Sequence, residues 1–372
     1  MKKIVVAGHV SLDITPEFHN QPVTQVSELF RPGKLIEVGA ATLHTGGAVC
    51  NTGLALHKLG ADVVLLAKIG ADEFGALVKK EIAESGCREK IKVVQGEATS
   101  YTLVLSPKGL DRIFLHNSGC NHTLTYEDID FDEVANADHF HFGYPPLLHE
   151  FYKNDGENLV KLYKKVKELG VTTSLDMVMV DKDSEAGKCD WKKILTNVLP
   201  YVDFFVPSIE ELAYFIDPPR FAEWIEKNGD KDITTELSLS KDIKPLAEQV
   251  MQMGANVVLL KCGTAGMYLK TASDKVMKSA YPKLNGWSNI DHFENSYKPD
   301  RLCCATGAGD TSIAAFLKAM LDGCTPHESL QYAAATGACC VSTWDSISGL
   351  KPFEELREKI EKGWEKQQFV QP

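Results

Sequence analysis

The sequence contains no run of about 18 apolar residues, the length a membrane-spanning helix requires, so no bilayer partner is expected. Nor is there an excess of basic charge. Lys and Arg number 40 against 51 Asp and Glu, giving a formal net charge of −11 and a pI near 5.5. Binding a nucleic-acid backbone needs a clustered surplus of cations, so that class of partner is excluded from expectation. Cysteine is present ten times, but with no CxxC pair and no Cys/His spacing of the zinc type. The cysteines, Cys303/Cys304 and Cys339/Cys340 included, therefore read as small hydrophobes in a reducing compartment. The opening MKKIVVAGHVSLD reaches His9 and Asp13 before a signal-peptide core is complete, so it reads as a buried strand and the protein as cytoplasmic. Low-complexity tracts and internal repeats are also missing.

What remains is an ordinary globular composition, 44% hydrophobic and 24% charged over 372 residues, enough for one large α/β core. Short β-branched runs alternate with helical patterns closed by glycine: KKIVVAG, AVCNTGLALHKLG, ADVVLLAKIG, DEFGALVKKEIAESG, and later ADHFHFG, VTTSLDMV, VDFFVPS and NVVLLKCG. This rhythm predicts an α/β fold, a doubly wound and mostly parallel sheet with helices on both faces. Two stretches, about 14–45 and 95–124, lack helical period. The second alternates polar and apolar residues around a turn at Pro107–Gly109, and together they predict a small β-sheet lid. Segments 217–240 and 273–299 read as insertions without a motif.

The segment ATGAGDTSIAAFLKAML carries the most chemistry. Its small-residue loop enters an amphipathic helix with Ile313, Phe316, Leu317 and Met320 on one face. Gly307, Ala308 and Gly309 then stand at a helix N-terminus, where backbone N–H groups and the helix dipole favour an anion. Asp310 in the first turn is placed to accept a proton from an attacking hydroxyl; capping the helix is an equally good use of the same residue. A dinucleotide fingerprint would need glycine at Ser312, and a P-loop would need GK[ST] after the glycines. A second glycine cluster, Gly46 and Gly47, opens another helix that carries Asn51. Asp13, beyond the first strand, lies where open α/β sheets bind ligands.

With both clusters in place the chain resembles the ribokinase-like, or PfkB, carbohydrate kinases. The resemblance rests on Gly46, Gly47, Asn51, Leu59, Gly60, Ile69, Gly70, Asp72 and Gly75, followed some 260 residues later by the GAGD run, and it covers essentially the whole chain as one kinase domain. It implies ATP as phosphoryl donor, Mg²⁺, and transfer to a hydroxymethyl group of a sugar-like small molecule. By position, it implies Asp310 as catalytic base and Gly307–Gly309 as anion hole. Asp13, Gly46, Gly47 and Asn51 correspond to the sugar-binding set. Ser208, Lys261, Gly263, Thr264 and Gly266 correspond to the nucleotide site, and Glu211 to the acidic residue that holds magnesium through water. Arg112 on the lid is a candidate for a carboxylate or phosphate on the acceptor.

The family usually writes DTxGAGD, where this chain has Cys304 and Ala305, which leaves a monovalent cation uncertain. Ser208 stands where Asn is usual, and Lys261 where a small hydroxyl residue is usual. Two alternatives stay open: a sugar-binding or regulatory protein with weakened catalysis, and a nucleoside kinase. Edge strands of the lid predict pairing with a second copy of the chain as a homodimer.

Overall fold

The structure, a computed structural model, describes residues 2–110, 112–229, 232–281 and 283–368. Among these the chain forms strands β1 (Lys3–Gly8), β2 (Ser11–Pro16), β3 (Ala41–Gly46), β4 (Asp62–Leu66), β5 (Lys68–Gly70), β6 (Arg88–Glu89), β7 (Lys92–Val94), β8 (Tyr101–Leu105), β9 (Ile113–Asn117), β10 (His139–Gly143), β11 (Thr172–Asp176), β12 (Phe204–Phe205), β13 (Val257–Cys262), β14 (Gly266–Thr271) and β15 (Asp291–Asn295). The central sheet has nine strands in the order β15-β14-β13-β12-β11-β10-β1-β4-β6. Neighbours from β6 to β13 run parallel, and β14 and β15 add an antiparallel edge.

Near-continuous apolar strands fit this arrangement because both faces are covered. Alternate residues of β1 serve different cores. Val5 and Ala7 join Phe140, Phe142, Leu162 and Tyr163 on one side, whereas Ile4 and Val6 join Val49, Leu54, Ile313 and Phe316 on the other. The helix Ala308–Leu321 buries Ile313, Phe316, Leu317 and Met320, the stripe its sequence predicts. His139 and His141 are core residues that hydrogen-bond to Thr172 and Ser174 at 2.7–2.9 Å.

The second sheet, β3-β2-β8-β9, stands apart from the first. It is the small sheet expected from the two aperiodic stretches, with Asp13 paired in register to His44 and Thr102. The segment 273–299 includes more scaffold than its polar composition suggests, because Asp291–Asn295 closes the edge of the main sheet against β14. Segment 217–240 forms the helix Pro218–Asn228 and a turn at Ile233–Glu236 that packs on the loop after β13. All ten cysteines are free thiols. No helix among the described residues is long and apolar enough to cross a membrane.

Candidate active site

Strand order reverses at β1, which has β4 on one side and β10 on the other. In open α/β sheets, ligands bind at the carboxyl ends beside such a point. Register brings Gly8, Gly143 and Asp176 side by side across β1, β10 and β11. Tyr144 follows directly, and a bridge between Ser208 and Lys261 continues the same edge.

Asp310 lies in the first turn of the Ala308–Leu321 helix and is 4% exposed. Three side chains donate to its carboxylate. Asn51 Nδ2 reaches Oδ2 at 3.0 Å, Thr52 Oγ1 reaches Oδ1 at 3.4 Å, and the Tyr144 hydroxyl lies 2.8 and 2.9 Å from the two oxygens. Burial raises the Asp310 pKa above the ordinary carboxylate value; the Lys261 charge and the hydrogen bonds from Tyr144 and Asn51 pull the other way. The two glycine clusters therefore meet at one carboxylate. Both Asn51 and Asp310 come from helices that the sequence places there.

Gly307 caps this helix with φ 76°, a left-handed conformation, and an added Cβ would stand 2.4 Å from Ser346 Cβ. Only glycine meets both demands. Ala308 N–H turns back to the Ala305 carbonyl at 3.3 Å. Gly309 lies against Lys261, whose Cδ would be 3.4 Å from an added Cβ. Gly46 lies closer still to Asp13, because its added Cβ would meet Asp13 Oδ2 at 2.3 Å. Asp13 accepts from Ser11 Oγ at 2.9 Å. Burial raises its pKa, and Asp310 adds to the rise.

Lys261 Nζ stands 2.6 Å from Asp176 Oδ1 in a buried ion pair. Burial opposes the ammonium charge, but Asp176 and Glu211 outweigh it and hold the Lys261 pKa above its ordinary value. Burial likewise pushes the Asp176 carboxyl up, with the Lys261 ammonium opposing it. Asp176 Oδ2 is buried and makes no hydrogen bond among the described residues. Ser208 and Glu211 form a capping box on the helix Ile209–Ile216: Ser208 N donates to Glu211 Oε2 at 2.7 Å and Glu211 N to Ser208 Oγ at 3.1 Å. Gly263 and Thr264 lie in a turn after β13, Gly266 begins β14, and Thr264 Oγ1 donates to Asp232 Oδ2 at 2.9 Å.

Arg112 extends from the lid to this edge of the sheet. Its Nη1 donates to Thr306 Oγ1, one residue before the glycine loop, and its guanidinium lies 5.6 Å from the Phe114 ring. Sequence reasoning overlooked Tyr144, Thr52 and Asp176. Their signal was positional for two of them, since Tyr144 and Asp176 stand at the carboxyl ends of HFHFG and TTSLD. His9 is buried 6.0 Å, ring to ring, from Tyr144. Burial holds it neutral, and neither ring nitrogen has a hydrogen-bond partner among the described residues.

Residues 1–352 match the family described as pfkB family carbohydrate kinase. An uncharacterized sugar kinase of Archaeoglobus fulgidus is 24% identical over 300 residues, covering 80% of this chain and 98% of its own. Ribokinase of Arabidopsis thaliana, solved in complex with ribose and ATP, superposes with a TM-score of 0.70 at 21% identity over 96% of this chain and 98% of that one. A putative ribokinase II from E. coli, in complex with ATP and Mg²⁺, gives 0.69 at 21% identity over 97% and 100%.

Proposed function

The chain belongs to the pfkB family of carbohydrate kinases, and from that premise we propose that it transfers the γ-phosphoryl group of ATP to a hydroxymethyl group of a sugar-like acceptor, with Asp310 as general base. The observation that carries this reading is the Asp310 carboxylate, buried at the head of a helix and raised in pKa, beside the small-residue loop Gly307–Gly309. A base with a raised pKa is better matched to a hydroxyl proton at neutral pH. The loop offers backbone N–H groups where charge develops on the phosphoryl oxygens.

The remaining residues divide by position. Asp13 and Gly46 on the lid sheet, with Gly47 and Asn51 on the helix that follows β3, form the acceptor's side of the site. Lys261, Gly263, Thr264, Gly266 and Ser208 form the donor's side. Glu211 and Asp176 fit a divalent cation held through water, since Asp176 has a buried oxygen without a hydrogen bond and the two acids repel each other. Magnesium in that place would neutralise phosphate charge. Arg112, at Thr306, is suited to an anionic group on the acceptor or to the transferring phosphate.

The test is ADP formation with a panel of sugars, sugar acids and nucleosides, comparing wild type with Asp310→Asn. Loss of a general base predicts at least about a hundredfold fall in turnover. A sugar that raises the melting temperature without any ADP formation would replace catalysis by binding alone.

A further inference from the structure

We propose that the Tyr144 hydroxyl is a stand-in for the acceptor: it donates to Asp310 until an acceptor hydroxyl takes its place, fixes the carboxylate's orientation, and keeps water from the base. The inference rests on Asp310 acting as base. Its geometric ground is that one phenol lies within 2.9 Å of both carboxylate oxygens. Asn51 and Thr52 take up further acceptor positions. An acceptor hydroxyl must donate to one of these oxygens before it reacts, and because the phenol spans both of them the acceptor competes with Tyr144 for the carboxylate.

Backbone geometry favours such a dedicated placement. Tyr144 has φ 66° and ψ 45°, in the left-handed region, where a non-glycine residue costs about 1–2 kcal/mol. Pro145 and Pro146 follow it, and its own N–H donates to the Asp176 carbonyl at 3.3 Å. The sheet register and the two prolines hold the strained residue at the base. Strain of this kind persists where the surroundings over-determine it, commonly at functional sites.

In the transfer step, the acceptor's O–H proton passes to Asp310 while its oxygen bonds to the γ-phosphorus. The bond from that phosphorus to the bridging oxygen breaks, and its electron pair leaves with ADP. Water in the acceptor's place would undergo the same steps and release inorganic phosphate. A phenol held on the base by β10 prevents this without itself reaching the phosphorus.

Tyr144→Phe keeps the ring and removes only the hydroxyl. The expected result is sugar-independent ATP hydrolysis raised about tenfold, the equivalent of one ordinary hydrogen bond. The acidic limb of the kcat/KM profile for the sugar should also move to higher pH, because a donor that favours the ionised carboxylate is lost. The other ionisable groups facing Asp310, namely Lys261, Asp176, Glu211, Asp13 and Cys340, are unchanged by the variant. A melting shift on adding ATP verifies that the variant is folded. An unmoved acidic limb, or hydrolysis no faster than wild type, overturns the stand-in. Full activity in Asp310→Asn would instead overturn the base assignment itself, so the two failures are distinguishable.

Discussion

Asp310 is a carboxylate that the fold makes less comfortable when charged. Its folded pKa is raised above the unfolded value, so at neutral pH its ionisation subtracts from stability, and that loss fades as pH falls through the raised pKa and is gone below the ordinary carboxylate value. Asp310→Asn should therefore melt above wild type at pH 7, with the gap closing toward pH 4, as thermal unfolding at both pH values would show. A lower melting point at pH 7 would mean that the charge is fully compensated by Lys261. Gly307→Ala adds a Cβ at φ 76° and 2.4 Å from Ser346, so it should cost at least about 1–2 kcal/mol and displace the loop. The GAGD run and the Gly46/Gly47 cluster were legible as residues because small side chains before a helix have few other uses. Tyr144 was not, since its role depends on a register between β1, β10 and β11 that spacing does not contain.

At the scale of elements, Asp72 joins a helix to the base of the lid. One carboxylate oxygen accepts from Gly75 N at 2.8 Å and caps the helix Glu73–Ser85; the other accepts from Thr99 N at 2.8 Å, just before β8. Burial raises the Asp72 pKa, but the hydrogen bonds from Thr99 and Gly75 outweigh it and leave the pKa below the ordinary value. Its contribution is thus complete above the ordinary carboxylate range and is lost as pH falls through the lowered pKa. Asp72→Ala should cost about 1 kcal/mol or more at pH 7, measured as a shift in urea midpoint that disappears in strong acid. Elements with a strong period were readable in advance, as the buried stripe of Ala308–Leu321 shows. Strand β15 was hidden because DHFEN is an edge strand of mixed exposure, with no hydrophobic run to mark it. Lys261 departs from the usual family pattern in sequence; its partner, Asp176, lies on another strand 85 residues earlier.

For the whole molecule, the lid sheet ends in two open edges, β3 and β9. On β9, Phe114 and Leu115 are each 52% exposed. Unpaired strand edges with apolar side chains favour pairing, so a homodimer through the lid is the expected state. Light scattering at micromolar protein should give twice 41.0 kDa, and a strictly monomeric mass would remove the idea.

The hydrogen bonds on Asp310 also bear on how the chain matures. Asn51 and Tyr144 meet a residue that follows them by 259 and 166 positions. Contacts so distant in sequence are slow to form, because loop closure must precede them. A chain still on the ribosome can complete β1, β4 and their helices well before it possesses Asp310. With Asp310 as the proposed base, catalytic competence is a late event in biogenesis, and in refolding experiments recovered activity should trail recovered secondary structure.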